Sequence, residues 1–504
     1  MRMLFCLVLA LGCTESDDFD TGELPKEADT PDEDDTGSSP EDDEFDFLRA
    51  TALSDLYASS APAVSIAIYR DGATVYAEAF GSARPEEDLP ATIDTLFHIG
   101  STTKMLTAMA VLQDVEDGAL GLDTTLAEAV PSSEFALNAG WNDQITMHHL
   151  LTHTATLHEH YDVTANPDDD HLRDWHEDVY FEYLWLTAWP GAFWNYSNSG
   201  YNLAGLVIEE LSGEPYADVM RARIFEPLGM DRTHQRKVDA EADGDYALGY
   251  GYIPDGSGGY AWGALGLDDI EDGSSARPAG AGTWSTPSQM MAVADLLLNG
   301  SADVISDENL AALTRRQTTT HYRPDTVGYG YGLMVSDGYW TGEEWHETPV
   351  WSHNGLTAGY SSEFVVLPEH DFAISVLSSS YYTDFSRTIA TAITGLLDLG
   401  EPEPTPGLTH SDARLDDHVG TYVDEYNVGT IHVTRTDAGL GIEMPDLEEL
   451  GYTVEPDLLT YADTIFWLTI DGQAYDLTFI GMPGEPSGFV KNRAFAGTRA
   501  VDID

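Results

Sequence analysis

The sequence predicts an α/β domain whose sheet draws strands from both ends of the domain, followed by a separate all-β module. Three observations carry that expectation. Strand patterns stand early, in PAVSIAIYRDGATVYAEAFGSA, and return far downstream in YGYGLMV and SSEFVVLPEHDFAISVLSS, with helical segments between them. The helix pattern FSRTIATAITGLLDLG then closes the unit, and EPEPTPG reads as a stiff linker. Beyond the linker, short alternating runs are broken by Gly, Asp and Asn turns, the pattern of a small barrel or sandwich.

The elements follow in order. The first residues, MRMLFCLVLALGC, read as an export signal over residues 1–12, with Arg2 as a basic start and Leu4 to Leu11 as an apolar core. That core is too short to span a membrane as a helix. Its ending, ALGC, resembles the bacterial lipoprotein signal, which implies lipidation of Cys13 and a periplasmic or cell-surface location. Residues 13–46 are acidic, rich in Pro, Gly, Ser and Thr, and poor in aliphatic side chains, so they read as a disordered tether extended by its own charge. The main folded body is expected over residues 47–399, the linker over 400–407 and the all-β module over 408–504. Within the body, Asp71-Gly72 marks a hairpin and Pro368–Asp371 a turn between strands. GYNLAGLVIEELSGEP is the clearest amphipathic helix of the middle region.

Composition narrows the function. With 88 Asp and Glu against 22 Lys and Arg, the formal net charge is -66. So acidic a chain repels nucleic acid and anionic lipid, leaving a lipid anchor as the expected membrane attachment. Its two cysteines, Cys6 and Cys13, both fall in the leader, so the body is expected to be stable without a disulfide. The histidines are scattered without metal-ligand spacing, and there is no phosphate-binding loop; neither metal nor organic cofactor is expected.

Lysine is scarce: Lys26, Lys104, Lys237 and Lys491 are the full set. Lys104 lies in HIGSTTKMLTAMAVLQ, at the head of the most apolar helical segment, where an ammonium group is costly to bury. Ser101 stands three residues before it, on the same helix face and at the helix N-terminus, where free N–H groups favour negative charge. A lysine desolvated there can accept the serine proton and activate the nucleophile. The plain alternative is that Ser101 caps the helix and Lys104 reaches back to solvent. Two downstream segments bear on the choice. Tyr196-Ser197-Asn198 precedes a helix, and supplies a hydroxyl to relay a proton and an amide to hold a carbonyl. His353-Asn354-Gly355 is read as leading into a strand, where glycine admits a close backbone and the N–H of Leu356 can meet an oxyanion. Trp185, Trp189, Trp194 and Trp284 are candidates either for an apolar acyl pocket or for core packing.

Together, Ser101-x-x-Lys104, Tyr196-x-Asn198 and His353-x-Gly355 resemble the serine β-lactamase and penicillin-binding-protein superfamily. The branch is that of class C β-lactamases and serine D-alanyl-D-alanine carboxypeptidases, and LLTHTATL, RIFEPLGMDRT and PAGAGTWSTPSQM look like its connecting segments. The resemblance implies a β-lactamase/transpeptidase-like antiparallel sheet with flanking helices and a helical subdomain. The C-terminal module looks like the lipocalin-like domains of some relatives. It implies an acyl-enzyme on Ser101, with Lys104 as base and Tyr196 in proton transfer. Asn198, His353 and Gly355 would bind substrate, and the N–H groups of Ser101 and Leu356 would form the oxyanion hole. The substrate would be a small molecule or a peptidoglycan fragment. His353 stands where lysine is common, and Asn354 and Leu356 where carboxypeptidases often carry hydroxyls, which leaves an esterase as an alternative. A non-catalytic peptidoglycan-binding protein is the reading from a different class.

Overall fold

The computed structural model describes residues 45–500, apart from 134–139, 159–171, 174–175, 177–180, 182–183, 255–259, 266–277, 322–325, 343, 382, 405, 407–408 and 410. The expected leader, Cys13 and nearly all of the expected tether lie outside the described residues. The chain is already packed at Phe45, whose ring stacks on Tyr76 with centroids 4.7 Å apart.

A nine-stranded antiparallel sheet forms the scaffold. In chain order its strands are β1 (Ala63–Arg70), β2 (Ala73–Arg84), β3 (Leu89–Pro90), β4 (Thr318–Thr319), β5 (Val327–Tyr329), β6 (Met334–Thr341), β7 (Glu344–Thr357), β8 (Tyr360–Leu367) and β9 (Phe372–Ser378). Their spatial order is β3-β2-β1-β9-β8-β7-β6-β5-β4. The two ends of the domain meet at its centre, where β1 pairs with β9 from Val64↔Ser378 to Arg70↔Phe372. The hairpin between β1 and β2 turns at Asp71 and Gly72, with φ of 53° and 81°, as a tight two-residue connection requires.

β1 shows why helices cover both faces. Seven of its eight residues are buried, and alternation sends them to two cores. Val64, Ile66 and Ile68 pack with Leu48, Ala52 and Leu56 of helix α1 (Asp46–Ala58). Ala63, Ala67 and Tyr69 join the larger core on the opposite face. That core also receives α2 (Thr103–Glu116), α3 (Asn198–Ser212) and α4 (Pro287–Asn299). The closing helix, α5 (Ser386–Leu396), places Ile389, Ala392 and Ile393 beside α1. The amphipathic segment read from the sequence is α3, and Gly213 ends it in the left-handed conformation.

The C-terminal module is a closed eight-stranded barrel, which settles the choice between barrel and sandwich. Its strands are β10 (Gly420–Asp424), β11 (Gly429–Thr436), β12 (Gly439–Glu443), β13 (Asp457–Thr460), β14 (Ile465–Ile470), β15 (Gln473–Ile480), β16 (Phe489–Lys491) and β17 (Ala496–Arg499). Closure removes the exposed sheet edges and encloses a core around Tyr422, Phe466, Leu468 and Phe479. The barrel also docks on the catalytic domain: Phe489 meets Trp189 and Phe193 edge-on, at 4.9 and 5.3 Å.

Candidate active site

The site begins at a turn held from below. The short strand Phe97–His98 pairs with Trp284–Ser285 and fixes where the chain emerges. Gly100 then takes φ of 55°, and a 3-10 turn over Gly100–Thr102 delivers the partly exposed Ser101 to the head of α2. Ser362 of β8 braces this turn, its hydroxyl donating to the Ile99 carbonyl at 2.7 Å and lying 2.9 Å from that of Thr102.

Strand β7 crosses the turn at close range. A Cβ on Gly355 would lie 2.0 Å from the Ile99 carbonyl oxygen, and one on Gly100 would lie 3.0 Å from the Leu356 nitrogen. The glycines therefore bring backbone against backbone, and Gly355 serves the fit of strand to turn. The ladder with β6 ends at Ser352, so residues 353–357 run beyond it. His353-Asn354-Gly355 thus lies near the end of a 14-residue strand rather than where one starts. The alternating segment from Glu344 to Trp351 is itself strand and carries the chain to this point.

Lys104 is fully buried, which removes the alternative in which it reaches solvent. Its Nζ lies 3.0 Å from Ser101 Oγ, 2.6 Å from Asn198 Oδ1 and 2.7 Å from the Gly280 carbonyl. The rings of Tyr196 and Tyr201 lie 4.8 and 5.6 Å from the same nitrogen. The carbonyl and the amide oxygen only accept hydrogen bonds. A neutral amine that donates its two protons to them presents its lone pair to the serine hydroxyl. The arrangement therefore selects the orientation in which Lys104 can take a proton from Ser101. Helix α3 supports both acceptors: Asn198 opens it, and Asn202 Oδ1 accepts from the Gly280 N–H at 3.2 Å. Asn198, which the family resemblance implies as a substrate-binding residue, here accepts from Lys104 through its Oδ1.

Tyr196 stands beside this centre on a packed aromatic wall. Its ring lies 4.2 Å from that of His153 and 6.2 Å from that of His353. His153 Nδ1 accepts from the Ser197 N–H at 3.1 Å, which leaves the ring proton on Nε2. His353 has both nitrogens within reach of protein partners. Nδ1 donates to its neighbour's carbonyl, that of Asn354, at 2.6 Å, and Nε2 lies 3.1 Å from the Tyr329 hydroxyl. Burial, reinforced by the charge of Lys104, pushes the His353 imidazole down to about 3. The third element therefore brings no positive charge at neutral pH.

The tryptophans divide. Trp284 is buried against His98 and Tyr360, and Trp185 stacks on His158 at 3.8 Å. Trp194 packs at 6.2 Å from His153, behind Tyr196, and Trp189 is half-exposed against the barrel's Phe489. The sequence reading did not single out the Gly280 carbonyl, His153 or the barrel hairpin at Lys491–Arg493. The first two lie inside PAGAGTWSTPSQM and LLTHTATL, whose likeness to family segments was their available signal. The third carried none beyond the rarity of lysine.

The constellation has counterparts among known proteins. A family model described as Beta-lactamase matches residues 49–397. The chain belongs to the beta-lactamase family. Members matched over long stretches include the unguisins hydrolase ungD' of Aspergillus campestris, 28% identical over 64% of this chain and 59% of that protein. Another is penicillin-binding protein 4* of Bacillus subtilis, 26% identical over 66% of this chain and 72% of its own length. The match thus spans under two thirds of the fungal relative. Among solved structures, that of SurE aligns with a TM-score of 0.64 at 23% identity, over 91% of this chain and 100% of that one. This likeness extends the shared fold through the barrel. Membership places the chain among serine hydrolases of the β-lactamase and penicillin-binding-protein superfamily.

Proposed function

We propose that the protein hydrolyses an amide bond through an acyl-enzyme on Ser101, as a D-alanyl-D-alanine carboxypeptidase-like enzyme related to the β-lactamases. The observation that carries the proposal is the buried Lys104 Nζ, held 3.0 Å from Ser101 Oγ by two acceptor-only partners. Lys104 takes the hydroxyl proton as Ser101 Oγ bonds to the substrate carbonyl carbon. The oxyanion forms in reach of the N–H groups of Ser101 and Leu356, each of which contributes about 3–4 kcal/mol in sites of this kind. Tyr196 and Lys104 return the proton to the leaving amine as the C–N bond breaks. Water then attacks the acyl carbon, the same bases take its proton, and Ser101 Oγ leaves protonated. Asn198 Nδ2 orients the substrate, and Gly355 and His353 hold the strand that lies along it.

One observation favours an esterase on the same machinery: the uncharged His353 offers no fixed cation to a substrate carboxylate. Release of D-alanine from a diacetyl-lysyl-D-alanyl-D-alanine peptide, set beside turnover of p-nitrophenyl butyrate and of a chromogenic cephalosporin, separates these readings. D-Alanine release that disappears in Ser101→Ala is the expected result. Ester turnover without D-alanine release selects the esterase, and silence from folded protein toward all three selects a binding protein. The leader composition and Cys13 support export and lipid anchoring, testable by fatty-acid labelling of wild type against Cys13→Ser.

A further inference from the structure

The barrel reaches the catalytic serine's neighbourhood through one hairpin. Strand β16 ends at Lys491, and the connection to β17 carries Asn492 and Arg493. Asn492 Oδ1 fixes its shape by accepting from the N–H groups of Ala494 and Phe495, at 2.7 and 2.9 Å. From outside the hairpin, Asn427 Nδ2 donates to the Ala494 carbonyl at 2.9 Å. The hairpin grips Asn195, the residue before Tyr196, at both ends of its amide. Lys491 Nζ donates to Asn195 Oδ1 at 2.9 Å, and Asn195 Nδ2 donates to the Arg493 carbonyl at 3.3 Å. The Arg493 guanidinium carbon then lies 4.7 Å from the centre of the Tyr196 ring.

From this juxtaposition we infer that Arg493 is a substrate-binding residue, contributed by the barrel, that selects substrates carrying a carboxylate next to the scissile bond. The inference deepens the proposed reaction and rests on it for the position of the scissile bond. Three features point the same way. A guanidinium matches a carboxylate with paired donors, and its charge persists at any working pH. The usual place for a cation in the third element is taken by neutral His353, while the barrel brings the Arg493 guanidinium against the Tyr196 ring. Finally, a chain of net charge -66 repels anions, and a cation beside Tyr196 offsets that repulsion at the site. Arg493 also answers the argument for an esterase, because it offers from the barrel the positive charge that His353 does not.

Two thioesters that differ by one charge test this in the full chain: N-benzoyl-D-alanyl thioglycolate and its methyl ester. The wild type is expected to favour the acid in kcat/KM. Arg493→Gln is expected to reduce that acid-to-ester ratio about 10- to 100-fold, the loss of a charge-assisted contact. Arg493→Lys is expected to keep part of it. A second measurement needs no turnover: calorimetric titration of Ser101→Ala protein with N-acetyl-D-alanyl-D-alanine and with its C-terminal amide. Binding that favours the acid, and loses that preference in Ser101→Ala/Arg493→Gln, supports the inference even if the thioesters are not hydrolysed. Absence of Ser101 acylation by either thioester counts against the proposed reaction alone. The same acid preference with glutamine at 493, or no preference in the parent protein, overturns the role of Arg493.

Discussion

Lys104 Nζ lies between Ser101 Oγ at 3.0 Å and the Asn198 and Gly280 oxygens at 2.6 and 2.7 Å, so a buried amine stands within hydrogen-bond reach of the hydroxyl it is proposed to activate. Replacing Lys104 by methionine keeps the volume and removes the base. Acylation by a reactive ester is expected to slow by about 10²–10⁴. Lys104→Arg is expected to stay as slow, because a guanidinium does not give up its proton. Stopped-flow acylation rates, with circular dichroism to confirm folding, check both. A Lys104→Met enzyme acylating within a few-fold of wild type would contradict the assignment of the base.

Gly355 carries a steric constraint that reads out separately. The atom a Cβ would meet at 2.0 Å is the Ile99 carbonyl oxygen, main chain that cannot swing aside. Gly355→Ala must push β7 from the Ser101 turn and carry the Leu356 N–H with it. The expected loss is about 10²–10³ in acylation rate, the scale of one oxyanion donor. The thermal midpoint should fall as well. An unchanged rate would mean that this close approach does not build the site.

Buried histidines set the acid limit. Burial pushes His98, His321 and His353 each down to about 3. Between pH 3 and 6.5 the unfolded chain binds protons that the folded protein does not, so stability rises with pH across that window and falls on acidification. Removing one such group by His353→Gln should reduce the slope of unfolding free energy between pH 5 and 6 by up to about 1.4 kcal/mol per pH unit. Urea midpoints at stepped pH measure it. Equal slopes in the two proteins would show that His353 is charged in the folded state.

Lys491 gives a shift of the opposite location. Burial lowers its ammonium to about 8 from 10.5, so above pH 8 the folded protein sheds a proton that the unfolded chain retains. Stability of the docked barrel is therefore expected to increase from pH 8 toward 10.5, and Lys491→Met is expected to lose that increase. Melting curves at pH 7.5, 8.5 and 9.5 decide it.

Much of this was legible in the sequence because local signals agreed with the global fold. Asp71-Gly72 marks the first hairpin, and the strand patterns at both ends of the domain do pair, β1 with β9, in one sheet. Ser101, Lys104 and Tyr196 stand out through the resemblance of their motifs, taken together, to those of the family. What was not legible depends on contacts between distant segments. The alternation in β7 does not reveal that Gly355 must clear Ile99, and nothing local ties the Gly280 carbonyl to Lys104. His353 has a pattern position that suggests a substrate contact, yet its nitrogens meet Tyr329 and its neighbour's carbonyl. Arg493 is hidden for the same reason: its place beside Tyr196 follows from how the barrel docks, which no stretch of either domain encodes alone.

The most direct test of the central claim is peptide mapping by mass spectrometry after brief exposure to a reactive acylating ester and rapid acid quench, for wild type and Ser101→Ala. The account predicts one acyl group on the peptide bearing Ser101 in the wild type and none in folded Ser101→Ala. Acylation at another residue, or equal labelling of both proteins, would contradict it.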